Sequence, residues 1–300
     1  MTLLLSIIVC LATSLGAEAQ NWEGIKADPS LVWGEGWGRS IEEADNMALS
    51  SLASKITVAV SSDYRQVEEQ MRTRQGTEYS LVQSNRVSAF SDVTLEGSQR
   101  IVLAKGRKAH VGRWISRDDL ESFFDGRKAR ILEYERNAEE AEARHQVSGA
   151  LKYHYWAYML LRSLPRPSEM RGSDGSLLVN SIPQSLSRIL QNISVREESR
   201  SGSSIRLFFT FNGIPIRGLD YSYFDGGRWV KGPGVSSGRS TIEMMPGALA
   251  RTLQIRVEYA YAAEASIDRE LRNIISIDNS LPLKGSMISF YANKTFRIQD

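Results

Sequence analysis

Near its amino-terminal end the chain carries the segment Trp33-Gly34-Glu35-Gly36-Trp37-Gly38, in which every second residue is glycine. Successive side chains of a strand point to opposite faces, so a strand here places its large residues on one face and its glycines on the other. A glycine face lets a helix or another backbone approach closely. The segment therefore predicts a strand that packs tightly on its glycine side.

A helix is predicted directly after this strand. Ser40-Ile41-Glu42-Glu43 has the form of a capping box, in which Ser40 caps the helix and the Glu43 side chain reaches back. Apolar and small residues then recur at helical spacing, so one face of the helix is apolar and small. These residues are Ile41, Ala44, Ala48 and Leu52.

Further strands and a second helix are predicted up to residue 127. They are a strand over 56–61, a strand over 87–95, a hairpin made by 101–105 and 109–115, and a short helix that starts at Ser116. The polar residues 63–80 fit a solvated helix as well as an extended arm. Mixed hairpins and helices of this kind predict an α+β layer over residues 20–127.

Several of these motifs occur together and in a fixed order. They are the glycine-alternating strand, the small helix face from Glu43 to Ala53, the stretch 56–62, the segment 92–97 and Trp114-Ile115-Ser116. In this order they resemble the N-terminal motif of the Lpp-twenty lipoprotein family, which also occurs in the N-terminal domain of the flagellar assembly protein T. The resemblance covers residues 30–125. It implies a bacterial cell-envelope protein with a non-catalytic module, and it transfers no catalytic residues.

Residues 1–19 are typical of a secretory signal peptide. A short apolar run over 3–11 is followed by the small-x-small triplet Ala17-Glu18-Ala19, which predicts cleavage after Ala19. The run is shorter than the roughly 20 apolar residues that span a membrane, and a buried strand is its alternative interpretation. We expect an exported protein of the periplasm or outer membrane. Cys10 is a candidate for lipid attachment. Val9 argues against it, because lipoprotein signals have a small residue at this position.

Composition and missing motifs exclude several classes. With 37 basic and 35 acidic residues the net charge is +2, which does not indicate a nucleic-acid-binding protein. The single cysteine excludes a disulfide framework and a cysteine zinc site. The glycine segment is followed by Arg39-Ser40 and matches neither a P-loop nor a dinucleotide-binding loop. His145 and His154 are nine residues apart, unlike a helical metal pair. We predict no cofactor and no metal ion.

Residues 128–165 predict a helical hairpin, with an interruption at Ser148-Gly149 and a stop at Pro165. A single hairpin cannot bury its own apolar face, so we expect it to pack on a neighbouring domain. Residues 166–192 contain proline, glycine and serine and predict a linker, with a short helix over 183–190 at its end.

Residues 193–263 predict a small antiparallel β-sandwich of about seven short strands, with turn signals at Asn212-Gly213 and at 225–227. The run 209–216 resembles the opening of secreted bacterial immunoglobulin-like modules, which implies a spacer or interaction domain. Tyr221, Tyr223 and Trp229 are the candidate interaction surface, and packing inside the sandwich core is the alternative for them. Residues 264–300 are predicted to be a tail with an amphipathic piece and a strand-like stretch at 287–291.

The sequence thus predicts an α+β protein of three modules that follow an export signal. We expect a non-catalytic cell-envelope protein, an adaptor or assembly module whose partners are other envelope proteins and not nucleic acid. No transmembrane span is predicted. A surface protein that binds glycans or peptides is the second interpretation. A secreted hydrolase is the third, because carboxylates that are distant in sequence can meet in a fold even though no G-x-S-x-G or H-E-x-x-H motif occurs.

Overall fold

The computed structural model describes residues 22–72, 97–164, 166–245, 252–277, 283 and 285–291. It confirms the predicted α+β class, because long helices alternate with antiparallel sheets. The chain divides into two compact units. Unit 1 comprises residues 1–127 with 163–166 and 276–278, and unit 2 comprises the rest. The export signal and the strand predicted over 87–95 lie outside the described residues.

Unit 1 contains a three-stranded antiparallel sheet of order β1-β3-β2 and a long helix. The elements are β1 (Leu31–Gly38), α1 (Ile41–Arg72), β2 (Gln99–Ala104), β3 (Ala109–Ser116) and the first part of α2 (Arg117–Ala143). The predicted hairpin is confirmed as β2 and β3. The helix predicted to start at Ser116 is present, and the Ser116 hydroxyl caps it by accepting a hydrogen bond from the Asp119 amide. It runs for 27 residues instead of forming a short helix.

The glycine face of β1 carries α1, which confirms the tight packing that the sequence predicts. A Cβ atom at Gly34 or Gly36 would overlap backbone atoms of α1. The facing residues Ala44, Ala48 and Leu52 are fully buried. The cap is also present: the Ser40 hydroxyl accepts a hydrogen bond from the Glu43 amide, and the Glu43 carboxylate accepts one from the Arg39 amide.

The strand predicted over 56–61 is wrong, because α1 continues through these residues to Arg72. Ile56 follows Leu52 by four positions, so it extends the same helical face, and it is buried there. Alternation over a short apolar stretch does not by itself distinguish a strand from a helix. The polar residues 63–72 are helical, whereas 73–80 lie outside the described residues.

Unit 2 begins within α2 and contains the predicted helical hairpin and two four-stranded antiparallel sheets. The interruption predicted at Ser148-Gly149 is wrong, because both residues are helical and the two helices are separated at 144–146. The further helices of unit 2 are α3 (Val147–Arg162), α4 (Leu178–Gln191), α5 (Ala262–Ala265) and α6 (Arg269–Ile277), with a 3-10 turn at Pro167–Glu169. The last two residues of α6 are counted in unit 1. The strands of unit 2 are β4 (Ile193–Ser201), β5 (Ser204–Phe211), β6 (Ile214–Pro215), β7 (Tyr221–Phe224), β8 (Trp229–Lys231), β9 (Arg239–Glu243), β10 (Thr252–Val257) and β11 (Met287–Tyr291).

The two sheets of unit 2 contact each other through large side chains. One has the order β4-β5-β6 with β9 also paired to β5, and the other has the order β11-β10-β7-β8. The ring centroids of Phe209 and Tyr221 are 5.1 Å apart across the two sheets. This is the contact that the predicted sandwich requires. The turn at Asn212-Gly213 is confirmed, since both residues have the positive φ that such a hairpin turn needs.

Two segments of unit 2 depart from the expected linker and tail. Within residues 166–192, the predicted short helix is α4, a 14-residue helix that buries Ile182, Leu186 and Ile189. Within residues 264–300, α6 buries apolar side chains and β11 pairs with β10. Both segments therefore belong to the fold, because their apolar residues recur at helix or strand spacing.

None of the helices in the described part of the chain combines the length and the apolar composition that are needed to cross a bilayer.

We predict that Gly36→Ala lowers the free energy of unfolding by about 3 kcal/mol, because the new methyl group would push α1 off the sheet. The matched control is Gly126→Ala in the interior of α2, where the added Cβ meets nothing within 4 Å apart from the backbone of its own helix and its chain neighbours. There we expect a gain of about 0.5–1 kcal/mol, because alanine favours a helix over glycine. Urea unfolding of the two variants measures both, and equal effects would contradict the tight packing.

Candidate binding surfaces

Two of the three predicted interaction residues are buried in the core of unit 2. Tyr221 is 1% and Tyr223 5% exposed. The Tyr221 hydroxyl is 2.6 Å from the Ser240 hydroxyl, and the Tyr223 hydroxyl donates to the backbone carbonyl of Glu243 at 3.0 Å. The expectation of an exposed aromatic patch is therefore wrong for both residues. They occupy alternate, inward positions of β7, which the core alternative describes correctly.

The third residue, Trp229, is partly exposed on β8. Its ring makes an edge contact with Phe224, with ring centroids 5.9 Å apart. The Arg256 guanidinium lies over the ring at 4.4 Å from its centroid. Trp229 is thus accessible, but without the two tyrosines it does not form the predicted patch.

Burial raises the pKa of Tyr221 from its ordinary value of 10.0 to about 12. The unfolded chain therefore releases this proton near pH 10, whereas the folded chain holds it until about pH 12. The stability that this difference contributes is fully present below pH 10 and is lost as the pH rises to about 12.

We predict that wild-type protein loses unfolding free energy more steeply than Tyr221→Phe above pH 10, by up to about 1.4 kcal/mol per pH unit. Near pH 7 the variant is less stable by about 1–3 kcal/mol, because it leaves the buried Ser240 hydroxyl unpaired. The double variant with Ser240→Ala recovers part of that loss. Denaturant unfolding at several pH values measures this, and parallel curves above pH 10 would sink the prediction.

The face of the unit 1 sheet opposite α1 carries a cluster of tryptophans. Trp22, in the helical segment 22–27, lies against Gly112 of β3, where a Cβ atom would collide with its ring. Its centroid lies 5.8 Å from that of Trp33 and 6.2 Å from that of Trp114. The Trp22 indole donates to the Glu35 carboxylate at 3.3 Å. The segment 22–27 thereby covers the middle of this face.

One end of the same face is open and carries a stacked pair of rings. Trp37 of β1 lies opposite His110 of β3, and their rings are parallel within 12° with centroids 4.4 Å apart. Trp37 is 58% exposed. The His110 Nε2 atom lies 3.2 Å from the Glu35 carboxylate, which also accepts the Trp22 hydrogen bond. Glu35 thus orients His110, and His110 supports one side of the exposed indole.

The sequence predicts that Trp37 and Glu35 share one strand face, but it does not predict this site. The missing residue is His110, which is 75 positions from Glu35 and becomes its neighbour only through the register of β1 with β3. No local pattern around His110 contains that register.

Unit 2 contains a groove between α2, α4 and the loop 171–176, with a volume of about 740 Å³. At its floor lies His154, which is 3% exposed and whose Nδ1 atom is 2.9 Å from the Glu135 carboxylate. At one end the Arg188 guanidinium pairs with both carboxylate oxygens of Glu142, at 2.5 and 2.8 Å, and this hydrogen bonding lowers the pKa of Glu142. His154 is thus a packed histidine.

Polar side chains line the groove on both sides, beside the apolar residues Ala129, Leu132 and Leu178. Charged and hydroxyl-bearing side chains line it, namely Glu133, Glu135, Arg136, Glu139, Glu142, Arg171, Ser173, Asp174, Ser176, Ser181, Ser185 and Arg188. The Ser181 Oγ atom is buried and has no hydrogen-bond partner among the described residues. In the described ranges no serine hydroxyl bonds to the His154 ring, and no group of three metal-ligating side chains occurs. The arrangement suits binding of a polar ligand.

No motif in the sequence predicts this groove. Glu135 and His154 lie on different helices, and they meet only because the hairpin closes.

No family model, no curated protein and no solved structure matches this chain. The resemblance to the Lpp-twenty family therefore stays a prediction that depends on the motifs of residues 30–125.

Proposed function

We propose that this protein is an exported, non-catalytic component of the bacterial cell envelope, an adaptor that binds another envelope protein through unit 1. The observation that carries the proposal is the exposed Trp37 ring, supported from behind by His110. The signal-like residues 1–19 and the motifs of 30–125 support the location.

The chemistry of this surface suits protein recognition. Tryptophan is enriched among the residues that contribute most to protein interfaces, because it removes a large apolar area from water on binding. A side chain that is already fixed loses little conformational freedom when a partner arrives. Trp37 meets this condition, since His110 supports its ring and Glu35 holds His110.

We expect Trp37→Ala to abolish capture of an envelope partner. The full chain, with residues 1–19, is produced in a bacterial host, fractionated, cross-linked and purified from the envelope. Wild-type protein is expected in the envelope fraction with a discrete partner that the variant loses. Because Trp37 is exposed, its removal changes the free energy of unfolding by less than about 1 kcal/mol.

Trp229→Ala is the matched control, because it removes a partly exposed tryptophan from unit 2. It is expected to retain the partner. Recovery of the wild-type chain only from the cytoplasm, or equal capture by Trp37→Ala, would contradict the adaptor function.

A second candidate function is binding of a glycan in the unit 2 groove. The observation that favours it is the buried Ser181 hydroxyl, which is left without a partner beside several charged side chains. A buried hydroxyl without a hydrogen bond costs about 1–3 kcal/mol, and a ligand hydroxyl would remove that cost.

We expect Ser181→Ala to weaken glycan binding while leaving the chain as stable as wild type or more stable, because it removes an unpaired buried group. Neutral and acidic oligosaccharides are screened by their effect on the melting temperature of the full chain. Ser187→Ala, which removes a hydroxyl bonded to Gln191 and not part of the groove lining, is the control. If no sugar raises the melting temperature, or if Ser181→Ala responds like wild type, the groove is not a glycan site.

A further inference from the structure

The first strand of unit 1 lies at an edge of its sheet. β1 pairs with β3, and β3 pairs on its other side with β2, so in the described part of unit 1 one side of β1 has no neighbouring strand. Along that side every second residue presents its backbone N–H and C=O outward. The pairing with β3 runs without a bulge from Leu31 to Gly38.

β1 lacks the features that usually protect an edge strand. Natural edge strands carry proline, outward lysine or a bulge, which prevent further pairing. β1 contains no proline and no lysine, and its one charged residue, Glu35, is held by His110 and Trp22. The Lys55 ammonium of α1 lies 3.0 Å from the Trp33 ring centroid. The Lys55 side chain therefore covers the edge of the first half of β1. The half from Glu35 to Gly38 has no such cover among the described residues.

On the helix side of the sheet, Met47 of α1 borders this open half. Asp45 of α1 bonds to Arg113 of β3 and Arg100 of β2, so that flank of the helix faces those strands. Met47 follows two positions later, which is about 200° around the helix, and therefore lies on the opposite flank above the open edge. It is 55% exposed, and its backbone lies against Gly36.

Trp37 and Met47 thus border the open half of β1 from the two sides of the sheet. Among the unit 1 residues whose side chains the structure describes, which do not include 57–72, they are the large apolar side chains that are exposed. Apolar side chains on both sides of an unpaired backbone edge are typical of sites where an extended peptide adds to a sheet.

We propose that the partner adds an extended segment to the open edge of β1 as a fourth strand. This proposal rests on the adaptor function and names the partner's chemistry. The added segment has no proline and carries two consecutive apolar residues, one facing Met47 and the next facing Trp37, because successive strand residues point to opposite faces. Its backbone supplies the hydrogen bonds, and the two side chains supply the selectivity.

A second copy of this chain does not fit this edge in an antiparallel pairing. Paired strands lie about 4.8 Å apart, whereas packed helices need about 8–10 Å between their axes. α1 lies directly on Gly34 and Gly36 of β1, so antiparallel pairing of two copies would place both α1 helices on the same face of the joined sheet and bring them too close. A partner strand that carries no helix above it avoids this collision.

The first test is amide hydrogen exchange of the free full chain, resolved by residue. In β1 the amides that bond to β3 are expected to exchange slowly, and the outward-facing amides of the open half, those of Glu35 and Trp37, are expected to exchange fast. Slow exchange of every β1 amide would show that the edge is already covered, by another segment of this chain or by a second copy. That result would overturn the proposal whether or not the adaptor function holds.

The second test supplies a strand. A phage-displayed library of random peptides, each long enough to span β1, is selected on the immobilised full chain. Selected peptides are expected to slow the exchange of the outward-facing β1 amides and to bind roughly tenfold more weakly to Trp37→Ala and to Met47→Lys. Ile267→Lys, which changes an exposed apolar residue of unit 2, is the matched control and is expected to bind as wild type.

Methylation of alternate peptide nitrogens separates strand addition from simple apolar contact. It removes hydrogen-bond donors and keeps every side chain, so a peptide that pairs with β1 is expected to lose binding. Failure to enrich any peptide over the Met47→Lys protein, or retained binding after methylation, would reject the added strand. Capture of an envelope partner that depends on Trp37 would still stand in that case, so the two proposals fail separately.

Discussion

The close approach of α1 to β1 is the constraint on which unit 1 depends. The backbone of the helix rests on Gly34 and Gly36, without any side chain between the two elements. Such a contact fixes both the distance and the rotation of the helix. It also fixes which face of β1 remains for larger residues, and so places Trp33, Glu35 and Trp37 on the side away from α1. The surface that we propose for partner binding follows from a packing requirement on the other side of the same strand.

The elements that the sequence predicts well are those set by neighbouring residues. The strand over 33–38, the cap at Ser40 and the turn at Asn212-Gly213 depend on the conformational preferences of a few adjacent residues, and each is present. Where apolar and polar residues alternate over a short stretch, as over 56–61, the local sequence does not decide between a strand and a helix. There the helical face that starts at Ala44 determines the conformation, because continuing it buries Ile56.

The binding surfaces were less predictable because each one combines residues from distant parts of the chain. Tyr221 and Tyr223 have the composition of an exposed aromatic patch, but their alternate positions on β7 turn both toward the opposite sheet. Conversely, His110 has no motif around it and matters only through the residue opposite to it. Strand register and sheet packing depend on the whole unit, so local patterns in a single sequence do not predict them.

The sequence separation of the contacting residues determines when the Trp37 surface forms during folding. The contact between β1 and α1 joins residues close in sequence, such as Gly36 and Ala48, and closing so short a loop costs little entropy. The contact between Glu35 and His110 spans 75 positions, so we expect it to form in a slower step. Until β3 pairs with β1, the His110 imidazole does not stack on the Trp37 ring. The rigid aromatic surface therefore arises only when the sheet is complete, and an incompletely folded chain presents β1 without it.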